Sequence, residues 1–231
     1  KYLPGIATGE ILTCYALTEP GSGSDALAAA TTAKLSEDGK NYLLNGSKQY
    51  ITNASYSDIC ILFAKIDGEQ FTAFIVDLHA DGVTIGAEEK KMGIKGSSTC
   101  AITLEDVKVP VENVLGEIGK GHHIAFNILN VGRFKLGAST TGGIKMTLRD
   151  AVPYTKQREQ FGQPLCSFGL IRAKIADIQT RGFLAESMVY RTAGLLDAAI
   201  NTLDKSAPDY DLQGIRKVEE FSIECSMIKV F

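Results

Sequence analysis

Tryptophan is absent from this 231-residue sequence, and histidine is scarce, with three copies. Neither His79 nor the adjacent His122 and His123 has an acidic or cysteine partner at ligand spacing, so the histidines read as solvated side chains and no metal site is expected. The five cysteines, at 14, 60, 100, 166 and 225, include no CxxC pair. An odd, dispersed set excludes a disulfide framework and predicts reduced thiols in a reducing compartment, a bacterial cytoplasm or a mitochondrial matrix. No apolar run reaches the length of a membrane span, and the start lacks the basic-then-apolar pattern of a signal peptide. Net charge is −3, too small to point to nucleic acid or another polyanion as a partner. Neither a Gly-Lys-Ser/Thr phosphate loop nor a GxGxxG spacing occurs, which removes the common nucleotide loops.

What is present divides in two. Up to about residue 116 the pattern is β. A Glu37-Asp38-Gly39-Lys40 turn leads into Asn41–Gly46, and two runs rich in β-branched and aromatic residues, 59–66 and 71–78, are joined across Asp67-Gly68-Glu69-Gln70. Ile102, Leu104, Val107 and Val109 predict a further strand whose alternation slips by one residue, as a bulge near Glu105 would produce. From Gly121 the period becomes helical, continuing to about Gln157 with a bend or break predicted at Gly142-Gly143 and Pro153. A second helix is expected from Phe168, with Ile171, Ile175, Ile178, Gly182, Ala185, Val189, Ala193 and Leu196 forming one apolar stripe, and a third from near Leu212. The expected class is α+β: an antiparallel β-barrel or sandwich followed by part of a helical bundle. The predicted boundaries are 1–10, the tail end of a preceding helical domain; 11–118, the β domain; and 119–231, an incomplete C-terminal helical domain. The ending at Met227–Phe231, in mid-pattern of an apolar helix, suggests a piece of a longer protein.

The stretch with most chemical content is Cys14–Asp25, an apolar strand that runs into Pro20 and a Gly21-Ser22-Gly23-Ser24 loop. A strand stopping there offers main-chain donors at its end, Thr18 adds a hydroxyl, and the small loop residues allow close approach of a large polar ligand. On the residues alone, a plain Gly/Ser turn between strands is the simpler account.

The same stretch resembles the flavin-binding loop of the acyl-CoA dehydrogenase family. Gln49-Tyr50-Ile51-Thr52-Asn53 is similar to that family's second flavin motif, and Arg158-Glu159-Gln160-Phe161-Gly162 to its third. Lys91–Lys95, Asp106–Pro110 and Glu112–Gly116 resemble family landmarks in the same order, and Asn127–Phe134 is most similar to the very-long-chain branch. The resemblance runs from about Leu12 to Phe231. It implies an FAD-dependent α,β-dehydrogenase of fatty acyl-CoA thioesters that passes electrons to an external acceptor, an electron-transfer flavoprotein. Flavin contacts would come from Tyr15, Ala16, Leu17, Thr18, Gly23, Ser24, Tyr50, Ile51 and Thr52. Arg158, Gln160 and Phe161 would reach the FAD of a neighbouring subunit, which implies a homo-oligomer, a dimer or a dimer of dimers. Ser24, Asn130 and Arg133 would face the acyl-CoA. Tyr50 stands where many members carry tryptophan. Apart from the resemblance, Thr52 reads as a strand threonine, Ser24 as a turn residue, Arg158 as a helix-terminal arginine over carbonyls, and Arg133 as the partner of an internal carboxylate. No catalytic residue is expected within the chain: Gly132 occupies one position where relatives carry the glutamate base, and the other lies in a Glu-Gly-Thr segment downstream. Glu219, Glu220 and Glu224 lack that context. An acyl-CoA oxidase, or a non-catalytic scaffold that kept the fold, are the alternatives.

Overall fold

The computed structural model describes all 231 residues, which divide into two compact units, Lys1–Ala125 and Phe126–Phe231. The first opens with a short helix, α1 (Leu3–Thr8), followed by β1 (Thr13–Ala16), β2 (Thr32–Leu35), β3 (Asn41–Thr52), β4 (Ile59–Ile66), β5 (Gln70–Asp77), β6 (Val83–Ile85), β7 (Thr99–Pro110) and β8 (Val114–Leu115). They form one eight-stranded sheet in the order β6-β7-β3-β2-β4-β5-β8, with β1 also paired to β4. The turn at 37–40 joins β2 to β3 in antiparallel register, Leu35 opposite Tyr42, and β4 and β5 pair from Ile59 opposite Asp77 to Ile66 opposite Gln70. The slip in β7 is a bulge: Leu44 faces Val107 but Gly46 faces Leu104, and Asp106 takes a positive φ of 49°.

Two features differ from the predicted antiparallel barrel or sandwich. The sheet is open, ending at β6 and β8. It is also mixed, because β1 and β2 both run parallel to β4, Cys14 opposite Cys60 and Thr32 opposite Lys65. The chain between β1 and β4, residues 17–58, and the part of it after β2, residues 36–58, provide the crossovers that the two parallel pairings require. The core is made of inward side chains fully removed from water, including Leu44, Leu62, Phe74, Val76, Ile102 and Val107. Each contributes roughly 1.5–3 kcal/mol through burial.

α2 (Gly121–Gln157) starts on this sheet. A Cβ on Gly121 would stand 2.9 Å from the Ala73 nitrogen, so only glycine allows the helix to begin there. The Gly119 N–H donates to Thr72 Oγ1 at 3.0 Å. Beyond Ala125, α2 passes through Gly142-Gly143 and Pro153 as one 37-residue helix; the predicted break does not occur. Pro153 removes one intrahelical donor, yet it lies at an exposed position within five residues of the helix end, where few hydrogen bonds depend on continuity. A two-strand hairpin, β9 (Glu159–Gln160) and β10 (Gln163–Pro164), leads to α3 (Gly169–Ile200), α4 (Tyr210–Glu219) and α5 (Ser222–Val230). Every residue of the predicted α3 stripe is buried or half-buried. α3 packs on α2 where Gly182 meets Ile144, and α5 where Ile228 fills the space beside Gly137. No helix is long and apolar enough to cross a membrane.

Candidate functional site

The end of β1 shows why this strand can hold a ligand. Its side chains are used for packing: Ala16 and Leu17 are buried, and the Tyr15 ring meets Phe63 edge-on at 5.4 Å. The Tyr15 hydroxyl donates to the Ala125 carbonyl at 3.3 Å, and burial raises its pKa, so the phenol stays neutral. The backbone is not used up. The N–H groups of Leu17 and Thr18 donate to no carbonyl of the protein. Leu17 is buried and Thr18 half-buried, and two consecutive open donors at a strand end are available to an external acceptor. The Thr18 hydroxyl is open to solvent without an internal partner.

Beyond Thr18 the loop closes on itself. Glu19 and Ser22 exchange two main-chain hydrogen bonds (2.9 and 3.1 Å), and Ser22 Oγ donates to the Asp25 carbonyl at 2.7 Å. Gly23 and Ser24 project outward from this braced turn, both exposed, and no atom lies within 4 Å of where a Gly23 side chain would begin.

Under the loop lies a buried ion pair that the motif reading did not foresee. Lys48 Nζ, with no exposure, lies 2.7 Å from Glu19 Oε1 and 3.4 Å from the Leu17 carbonyl. Glu19 Oε1 also accepts from Thr31 Oγ1 (2.6 Å) and Thr31 N (3.2 Å), and Oε2 from Ala30 N (2.6 Å). Burial pushes the Glu19 carboxyl up, but the donors from Lys48, Thr31 and Ala30 outweigh it and hold the pKa below its ordinary value. Burial lowers the Lys48 pKa, and the neighbouring Glu19 carboxylate opposes that shift. The sequence signal was present: in β3 the inward positions run Tyr42, Leu44, Gly46, Lys48, so a lysine falls in the apolar phase.

Lys48 leads into the second predicted segment. The Gln49 N–H donates to the Thr18 carbonyl at 2.9 Å, which sets Tyr15–Thr18 beside Lys48–Thr52. Here β3 carries one extra residue, since Lys48 faces Ile102 but Ile51 faces Cys100. The bulge holds Tyr50 at φ 59°, unusual for an aromatic residue, and the residue is 59% exposed. Ile51 anchors the far side of the bulge in the core at 2% exposure. Thr52 is exposed, and its hydroxyl, like that of Thr18, is without an internal partner.

The remaining candidates lie in the helical unit. Arg158 follows α2; its N–H caps the helix on the Tyr154 carbonyl (2.9 Å) and its carbonyl accepts from Leu165 N (2.8 Å), while the guanidinium is exposed and engages neither a carboxylate nor the helix-end carbonyls. The hairpin after it turns at Phe161 (φ 55°) and Gly162 (φ 75°), the positive-φ pair of a type I′ turn. Phe161 stands 92% exposed at the tip, and Gln160 is exposed beside it. Asn130 is buried and accepts from Arg133 Nη1 at 2.8 Å. The partner of Arg133 on its own helix is therefore an amide, not the carboxylate that the residues alone suggested. No Cβ-range neighbour stands beside Gly132. A concavity of about 520 Å³ lined by Tyr56, Glu88–Lys91 and Lys95–Ser98 contains none of these candidates. Its Lys91 is already tied to Ser97 and Thr99, and Glu88 to Ser98 and Thr99.

Comparison with known proteins gives this geometry a context. The sequence profile described as "Acyl-CoA dehydrogenase, middle domain" matches residues 14–107, and that described as "Acyl-CoA dehydrogenase, C-terminal domain" matches residues 119–231. A probable acyl-CoA dehydrogenase of Bacillus subtilis is 50% identical over 231 residues, covering 100% of this chain and 39% of the relative. The mitochondrial very-long-chain specific acyl-CoA dehydrogenase of Macaca fascicularis is 40% identical over 237 residues, covering 99% of this chain and 36% of the relative. Among solved structures, an acyl-CoA dehydrogenase from Bacillus anthracis complexed with FAD superposes with a TM-score of 0.93 at 53% identity, covering 100% of this chain and 40% of that one. The chain thus spans about two fifths of the length of these relatives.

Proposed function

Because the chain belongs to the acyl-CoA dehydrogenase family, with that family's middle and C-terminal domains in order, we propose that the full-length protein binds FAD and dehydrogenates fatty acyl-CoA thioesters between Cα and Cβ. The observation that carries this reading is the pair of open N–H donors at Leu17 and Thr18, flanked by the unpartnered hydroxyls of Thr18 and Thr52. FAD, when bound, supplies the hydride acceptor. This chain's part is to offer donors to the polar edge of the ring system, where reduction builds negative charge; donors fixed in advance by a sheet need no reorganisation as that charge develops. Tyr50 offers an aromatic face next to that edge. Arg158 supplies a planar fork suited to a pyrophosphate, and Phe161 a ring suited to stacking on adenine. In our reading these two act on the FAD of a neighbouring subunit in a homo-oligomer, which the outward tip of the hairpin supports.

Ser24, Asn130 and Arg133 are assigned to the acyl-CoA side. Removal of the α-proton requires a carboxylate, and Gly132 has none to offer, so the base comes from another part of the full-length protein. Electrons leave to an external acceptor, for which an electron-transfer flavoprotein is our choice. The test is to purify the full-length protein, record its visible spectrum and mix it anaerobically with acyl-CoA esters of increasing length. A flavin spectrum that bleaches with at least one ester is the expected result; a colourless protein that cannot be reconstituted with FAD overturns the proposal. Reoxidation of the bleached protein by air instead of by an electron-transfer flavoprotein would identify an oxidase.

A further inference from the structure

We propose that the buried Glu19–Lys48 pair is a positioning device that fixes the Thr18 and Thr52 segments relative to each other, so that their donors meet one rigid ligand. The inference rests on the FAD reading above. Glu19 follows Thr18 directly, and Lys48 is separated from the Tyr50 bulge only by Gln49. Lys48 Nζ reaches both the Glu19 carboxylate (2.7 Å) and the Leu17 carbonyl (3.4 Å), so a β3 side chain grips the main chain where the two open donors lie. The carboxylate is in turn held by Thr31 and Ala30 through three further donors. Thr31 itself cannot shift toward β3: a Cβ on Gly46 would stand 2.8 Å from Thr31 Cα, so the two backbones already touch. Leu17–Glu19, Ala30–Thr31 and Gly46–Lys48 are thereby locked at one node.

Stability alone does not account for the node. A buried ion pair gains little over an apolar pair of equal volume, because both ions lose their hydration. What charge and hydrogen bonding supply, and an apolar contact does not, is a fixed distance and direction. Ligand donors need positions held to about half an ångström. The bulge at Tyr50 needs the same restraint, since its positive φ persists only while Lys48 on one side and Ile51 on the other are pinned.

The test uses the full-length protein and two variants. Glu19→Gln with Lys48→Met removes both charges and keeps one amide oxygen, which accepts from Thr31 or from Ala30 but not from both. Glu19→Asp keeps the charge and draws the carboxylate back by one methylene. Three quantities are measured: the unfolding midpoint of the FAD-free protein, the FAD dissociation constant by fluorescence titration, and the visible absorbance and circular dichroism of bound flavin. Expected for the double variant is FAD bound at least about tenfold more weakly and a flavin spectrum moved toward that of free flavin, with a fall in the FAD-free midpoint no larger than the loss of one buried hydrogen bond produces. Glu19→Asp is expected to show the same loss of affinity and the same spectral change, which keeps the test decisive should the double variant fail to fold. Wild-type affinity and an unchanged flavin spectrum in either folded variant would make the node structural only and overturn the proposal. A wild-type protein that takes up no FAD overturns the functional reading itself, and this proposal with it.

Discussion

The two units bury their apolar residues to very different degrees. In the sheet, Leu44, Leu62, Phe63, Phe74, Val76, Ile102 and Val107 show no exposure at all. In the helical unit few apolar residues are buried, Val189, Cys225 and Ile228 among them, while Leu170, Phe183, Tyr190, Ile223 and Val230 are 66–85% exposed. A sheet in which most strands have a partner on each side can close a core within about a hundred residues. Long helices bury one stripe each, and several here carry apolar residues outside that stripe. The apolar core is thus closed within the sheet unit, whereas the helical unit leaves many of its large apolar residues exposed.

The comparison breaks most sharply with one core substitution against one exposed one. Phe74→Ala in β5 should cost about 3–5 kcal/mol, because the vacated space is enclosed by the sheet core. Leu170→Ala, at a position 81% exposed, should stay within about 0.5 kcal/mol when the 231 residues are unfolded alone. The measurement is the denaturant midpoint of each. A cost at Leu170 approaching that at Phe74 would mean that the helical unit closes its own core after all.

A second contrast concerns acid. The Glu19 pKa is lowered on folding, so its contribution is fully present above the ordinary carboxylate range near 4.5 and is lost as pH falls through the lowered folded value. The Lys48 pKa is also lowered, which has the opposite meaning: the ammonium is costly to bury, and that cost lifts only as pH rises toward the lysine range. Acid thus removes the carboxylate while leaving its buried lysine charged. Below about pH 4.5 the sheet unit should lose stability steeply, and the Glu19→Gln, Lys48→Met protein less so. Asp38, Asp58 and Glu88 are also held low by hydrogen bonds, but they remain in both proteins, so the difference between the two acid titrations isolates the pair. Parallel titration curves would show that the pair does not carry this dependence.

Within the helical unit the tightest point is α2 against α5. A Cβ on Gly137 would lie 1.9 Å from Ile228 Cγ2, so Gly137→Ala must displace α5, at about 1–3 kcal/mol. Gly142→Ala, five residues along the same helix with open space around it, should instead stabilise by a few tenths of a kcal/mol or more. Equal effects at the two glycines would mean that α5 is not held against α2.

How much of this was legible in the sequence follows the range of the interactions. The 37–40 turn, the β7 bulge and the α3 stripe were visible because each is encoded in residues close together in the chain. Parallel pairing of β1 with β4 was not, since Cys14 and Cys60 meet across 46 residues with no local signal to join them. The unbroken α2 was hidden for the opposite reason. Gly142-Gly143 and Pro153 carry a strong local signal, but two glycines cost a helix only about 1 kcal/mol each and Pro153 lies within five residues of its end, so the helix continues through them. The motif residues stood out at the strand end and the bulge. The ion pair beneath them did not, because motif matching attends to residues that face the ligand and Lys48 faces the core.

The smallest expected effect on stability sits at the tip of the hairpin, and there stability and function should separate. Phe161 holds φ 55° and is 92% exposed, with its ring 6.3 Å from that of Phe168. The backbone conformation costs about 1 kcal/mol or more in a residue other than glycine, and burial returns almost nothing to offset it. Phe161→Gly removes that strain but adds about 0.5–1 kcal/mol of chain entropy to the unfolded state, so the unfolding midpoint should hardly move. If the ring stacks on a bound adenine, its loss should cost about 0.5–1.5 kcal/mol of binding, roughly two- to tenfold in FAD affinity of the full-length protein. Phe161→Tyr, which keeps the aromatic face, should restore that affinity. A Phe161→Gly protein that binds FAD as tightly as the wild type would remove the ring from the flavin site and leave its strained, exposed position to some other contact of the helical unit.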